Sequence, residues 1–84
     1  MSALADVQIE RERQDELVRA GRFAWTCADP NVTNDARLAV LVEEVGEVAR
    51  AVLGESGAVS DGGDLRKELV QVAAVAVAWI EALR

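Results

Sequence analysis

Three glutamates and a glutamine stand where the helical pattern of this chain calls for apolar side chains. In Leu41-Val42-Glu43-Glu44-Val45-Gly46-Glu47-Val48, Glu44 falls between Val40 and Val48 at the centre of an apolar face, with Glu47 about 60° to one side. The stretch Leu65-Arg66-Lys67-Glu68-Leu69-Val70-Gln71-Val72 repeats the arrangement, with Glu68, Gln71, Val75 and Trp79 on one side of a later helix. Side chains at i and i+3 are helical neighbours, so Glu44 with Glu47, and Glu68 with Gln71, each form a two-toothed oxygen clamp. Antiparallel packing of the two helices brings the clamps face to face. Oxygen donors without imidazole or thiolate select Mg²⁺ or Mn²⁺, with waters completing the octahedron. Ions of this kind bridge to substrate phosphates and orient or activate a water, and Glu43, or Glu47 where it is not committed to metal, is placed to take the proton. The chain offers no Ser-His-Asp set, no Cys-His pair and no glycine-rich phosphate loop. Metal-assisted attack by water is the chemistry that remains. Ion pairing of the same glutamates with Arg37, Arg66 or a partner chain is the alternative, because an unpaired buried carboxylate costs several kcal/mol. Helical geometry alone leaves both open.

The elements that must position these residues are helices. With 84 residues, 51% of them hydrophobic, one Pro and neither His nor Tyr, the chain reads as one small all-α domain spanning residues 1–84. Charged residues from Ala3 to Arg19 with apolar contacts at Leu4, Val7, Ile9, Leu17 and Val18 predict a first helix ending near Gly21. Its run Glu10-Arg11-Glu12-Arg13-Gln14-Asp15-Glu16 reads as a solvated face laced with opposite charges. Arg22 to Val32 has no sustained helical period and reads as an apolar loop. In it, Trp25 with Phe23 either offers an aromatic face for stacking or plugs the core, and Cys27 reads as a small, partly buried hydrophobe. Thr33 is the N-cap expected for a second helix stopping at Gly54, and Asp64 that for a third reaching Leu83. Glycines between Glu55 and Gly63 mark a flexible connection.

From Val72 to Ile80 the third helix is apolar on every side, more than two short helices can cover, so the bundle is expected to be completed by a homodimer or homotetramer. A net charge of −6 without a basic stripe excludes polymeric nucleic acid as a partner, although a bound divalent cation would still admit an anionic substrate. That apolar run is too short to span a bilayer, and no basic segment precedes an apolar one at the N-terminus, so the expected location is cytoplasmic.

Glu43-Glu44-Val45-Gly46-Glu47, followed after 20 residues by Glu68-Leu69-Val70-Gln71, resembles the EExxE…ExxD signature of the MazG-like all-α nucleotide pyrophosphohydrolases. Val42 to Ala49 and Lys67 to Ala74 look like a small branch of that superfamily, and the polar element Glu10 to Gln14 resembles its first helix. The resemblance covers roughly residues 9 to 83. It implies Mg²⁺-dependent hydrolysis of a nucleoside triphosphate, or a relative such as phosphoribosyl-ATP, to the monophosphate and pyrophosphate. Glu44, Glu47 and Glu68 match metal-binding positions, while Gln71 stands where the family has aspartate. Its amide oxygen can ligate but brings no charge. Either fewer metals bind or Asp64, one turn before Glu68, contributes, and Arg50, Arg66 and Lys67 are the candidate phosphate contacts.

Overall fold

A computed structural model describes residues 2–58 and 62–84, which form three helices and, among those residues, no strand. Helix α1 spans Ala3–Arg19 and begins where the Ser2 hydroxyl accepts the Ala5 N–H at 3.0 Å. Helix α2 spans Asn34–Glu55, with Thr33 capping the Ala36 N–H, and α3 spans Leu65–Ala82, with Asp64 capping the Lys67 N–H. Each cap satisfies a donor that no helical carbonyl can reach, typically worth about 1 kcal/mol.

Glycines set two of the ends. Gly21, at φ 74°, turns the chain out of α1, as its place in the sequence suggests. Helix α2 instead runs through Gly54 and is stopped by Gly57, at φ 81°. Gly54 has another duty. The backbones of Gly54 and Gly62 lie against each other, so closely that a Cβ on either would overlap the other. That contact brings the chain back for α3 to run antiparallel to α2, with the Trp79 indole N–H donating to Asn34 Oδ1 at 3.0 Å at the far end.

Helix α3 is the centre of the molecule. It packs against α1 on one side and α2 on the other, whereas α1 and α2 do not pack on each other. The core is narrow: Cys27, Val75 and Ala78 are buried, with Val40, Leu41 and Trp79 around them. Ala51, Ala74 and Ala78 are wholly enclosed, and small side chains let the helices approach closely. The apolar-all-round part of α3 thus divides into a buried inner side and an outer side on which Ile80 is exposed.

The charged run of α1 is not wholly solvated. Arg11 and Gln14 are buried, and the Arg11 guanidinium donates to Asp15 at 3.1 Å and, across the helix interface, to Glu81 at 2.9 Å. Burial opposes its charge, but the hydrogen bonds to Glu81 and Asp15 outweigh it and hold the Arg11 pKa above the ordinary arginine value. The Glu10–Arg13 and Glu16–Arg19 pairs on the same helix run along its surface as the pattern suggests.

Candidate active site

The aromatic loop between α1 and α2 is tied to α2 by one residue. Arg37 lies on the apolar side of α2, is only 5% exposed, and directs two of its three guanidinium nitrogens at the loop. Nε donates to the Cys27 carbonyl at 2.9 Å, one terminal nitrogen to the Asp29 carbonyl at 2.7 Å, and the other to Asn34 Oδ1 at 2.8 Å. Asn34 Oδ1 is the oxygen that also receives the Trp79 indole, so loop, α2 and α3 share one network. Arg37 therefore does not pair with Glu44 or Glu68, both half-buried, or with Glu47, which the structure leaves exposed and not turned inward. Arg66 does not either; it binds Asp6 on α1 at 2.6 Å. That removes these two arginines, though not a partner chain, from the ion-pairing reading.

With the loop held in this way, a cleft of about 400 Å³ opens among the three helices. Helix α1 contributes Glu10, Arg13 and Gln14; the loop contributes Arg22, Phe23, Trp25 and Cys27; α2 contributes Val40, Glu43 and Glu44; α3 contributes Gln71 and Val75. Four of the residues singled out in the sequence, Trp25, Glu43, Glu44 and Gln71, thus meet in one cavity. Trp25 is 38% exposed and Phe23 is also open, so the pair forms a wall of the cleft and does not plug the core. Cys27 behaves as expected of a small hydrophobe, and burial pushes its thiol above the usual range.

Glu44 is half-buried at the meeting of α2 and α3. Burial first, then the negative charges of Glu68, Glu43, Glu47 and Glu10, push its carboxyl above the ordinary glutamate range. Glu47 and Glu68 therefore act on Glu44 electrostatically although neither lines the cleft wall. The three basic residues proposed for phosphate are elsewhere. Lys67 lines a shallower groove of about 250 Å³ between α1 and α3, beside Asp6, Asp64 and Arg66, and Arg50 does not line the cleft. The cations that do line it are Arg13 and Arg22. Sequence reading missed both, together with Glu10. The available signal was the i, i+3 spacing of Glu10, Arg13 and Gln14, which puts all three on one face of α1.

The donor set suits a hard cation: carboxylates and an amide oxygen, with neither imidazole nor thiolate competing. The clamps are not closed, however. Among the described residues no group of three or more Asp, Glu, Cys or His side chains converges as a metal cage. Like charges without a counter-ion lower their energy by staying apart. Asp64, suggested as a supplementary ligand, has one carboxylate oxygen engaged in capping Lys67. No protein-family model, curated protein or solved structure matches the chain, so the functional reading rests on its own residues and geometry.

Proposed function

We propose that this chain is a Mg²⁺-dependent nucleotide pyrophosphohydrolase of the MazG-like kind, which cleaves a nucleoside triphosphate or related nucleotide to the monophosphate and pyrophosphate. The observation that carries the reading is the single cleft in which Glu43 and Glu44 of α2 and Gln71 of α3 face an open aromatic wall of Trp25 and Phe23. Glu44, Glu47, Glu68 and Gln71 are the residues that would hold Mg²⁺ or Mn²⁺. The ion supplies charge neutralisation for the phosphates and lowers the pKa of a bound water. Trp25 stacks on the base, an interaction tolerant of base identity. Arg22, with Arg13 beside it in its pair with Glu10, offers positive charge to phosphate oxygens and takes the part first given to Arg50, Arg66 and Lys67. Glu43, on the cleft wall, accepts the proton of the attacking water, with Glu47 as the second candidate. A cytoplasmic, homodimeric or homotetrameric protein belongs to the same reading; no helix among the described residues is long and apolar enough to cross a membrane.

A non-catalytic helical oligomer that binds a nucleotide or regulates a partner is the second reading, and Gln71 together with the unclosed clamps favours it. A panel of nucleoside triphosphates and phosphoribosyl-ATP with Mg²⁺ and Mn²⁺, read out as pyrophosphate, separates the two. The proposal expects release that EDTA abolishes; nucleotide binding without release supports the second reading.

A further inference from the structure

One hydrogen-bonding group in the cleft is held in place and has nothing to bind. Gln14 projects from α1, is only 9% exposed, and lines the cleft beside Cys27 and Val75. Its Oε1 accepts from Arg11 Nη1 at 3.2 Å. An arginine can only donate, so this contact leaves the amide one orientation: oxygen towards Arg11, and Nε2 with both its hydrogens towards the cleft. Among the described residues, Nε2 donates to no protein acceptor. A fixed pair of donors, mostly withdrawn from water, needs an acceptor that a ligand must bring.

Arg11 sets that orientation and does little else by this bond. Its terminal nitrogens also reach Asp15 and, on α3, Glu81, and the Glu81 contact docks the two helices. The bond to Gln14 joins no two elements, because both residues belong to α1. Arg11 Nε is meanwhile buried without a partner, a defect that an apolar side chain in its place would avoid.

The surroundings define the acceptor. Cys27 and Val75 give Gln14 a buried apolar floor, and Trp25 and Phe23 form the open wall. Arg11 acts on the Cys27 thiol, after burial and Arg37, but is not among the charges that act on Glu44, so the Arg11–Gln14 pair lies nearer the thiol than the carboxylate. A phosphate in that position would meet an apolar floor and a guanidinium already engaged by Asp15 and Glu81. A planar ring laid on Trp25 with a neutral carbonyl oxygen at its edge satisfies both the wall and the amide. An exocyclic amino group at the same point would set donor against donor and leave both unpaired.

We propose that Gln14 is the specificity-determining residue of the cleft, selecting a nucleobase that carries an oxo group over its amino counterpart, and that Arg11 is the positioning residue that turns its amide. The proposal rests on the cleft being a nucleotide site, but not on turnover. Proton–nitrogen NMR titration of the full chain in EDTA tests it without catalysis, using nucleoside monophosphates in matched pairs: inosine against adenosine, and uridine against cytidine. The oxo member of each pair should bind about tenfold more tightly, the amino members keeping ring-nitrogen acceptors that make the preference partial. Gln14→Glu turns an acceptor to the cleft and should reverse the order, and Gln14→Met should erase it. Arg11→Met frees the amide to rotate and should level the two members, whereas Arg11→Lys, which still donates to Oε1, should restore most of the preference; a purely structural Arg11 would weaken both members alike. Should a variant fail to fold, the unaltered chain still decides: the Gln14 side-chain amide protons should shift with inosine monophosphate and not with adenosine monophosphate. Binding without preference, or preference for the amino members, overturns the proposal and leaves the nucleotide reading standing. Failure of every monophosphate to bind overturns both. Preference without pyrophosphate release supports the proposal together with the non-catalytic reading.

Discussion

Glu44 concentrates the electrostatic problem of the cleft, being withdrawn from water and crowded by the charges of Glu68, Glu43, Glu47 and Glu10. Its folded-state pKa is raised, so its contribution to stability is fully present below the unfolded value of about 4.3 and is lost as pH rises through the higher folded value. In EDTA, calorimetry should therefore show this contribution falling between mildly acidic and neutral pH, and Glu44→Gln should raise the neutral-pH melting temperature and flatten the profile. Mg²⁺ should raise the melting temperature of the parent by neutralising the cluster and binding the native state. Glu44→Gln and Glu68→Gln should lose most of that rise; if both respond as the parent does, the ligands are misassigned. Gln71→Asp tests the position where the chain departs from the pattern it resembles. With a metal in the cleft, the added charge should tighten Mg²⁺ binding, measured by titration calorimetry, and speed turnover while Glu68 is intact. Without one, it adds a further negative charge beside a crowded group of carboxylates and lowers the melting temperature in a way Mg²⁺ does not restore. Position 71 was legible in the sequence because i, i+3 spacing is local. The cleft role of Glu10 was not, because it depends on where α1 docks.

At the level of elements, the caps were readable and the clamps between elements were not. Thr33 and Asp64 cap the helices they precede because a hydroxyl or carboxylate before an amphipathic run needs only its own next turn. Gly54 looks like a helix stop, but its reason for being glycine is the backbone of Gly62, a contact invisible to local pattern. Gly54→Ala gains up to about 1 kcal/mol of helix propensity. The overlap with Gly62 costs about 1–3 kcal/mol. The overlap should prevail, and urea unfolding should show a less stable protein; a more stable one would mean that the turn relaxes freely. Arg37 is a similar case. Helical periodicity puts it on the apolar face of α2 without saying that its partners are the Cys27 and Asp29 carbonyls. Arg37→Met leaves those carbonyls short of donors and should cost on the order of 3 kcal/mol in urea unfolding. Because the same loop carries Trp25, the variant should also weaken nucleotide binding more than Arg37→Lys, which keeps one donor and the charge.

For the whole molecule, three helices close to the expected extent followed from composition and period, whereas the central place of α3 between the other two emerges only from the packing. What period alone misjudged was α1, where Arg11 and Gln14 are buried against α3 inside a run that looks entirely solvated. A charge pattern specifies which side chains can pair along a helix, but not which turn another helix will cover. The arrangement that results places oxygen donors, open aromatics and two arginines in one cleft. Its function is tested most directly by phosphorus NMR of a nucleoside triphosphate incubated with the protein and Mg²⁺. The account predicts the monophosphate and pyrophosphate as products, formed without a diphosphate intermediate, with no reaction in EDTA and none with Glu44→Gln. A diphosphate with inorganic phosphate, turnover unchanged in Glu44→Gln, or an intact triphosphate across the whole nucleotide panel would contradict it.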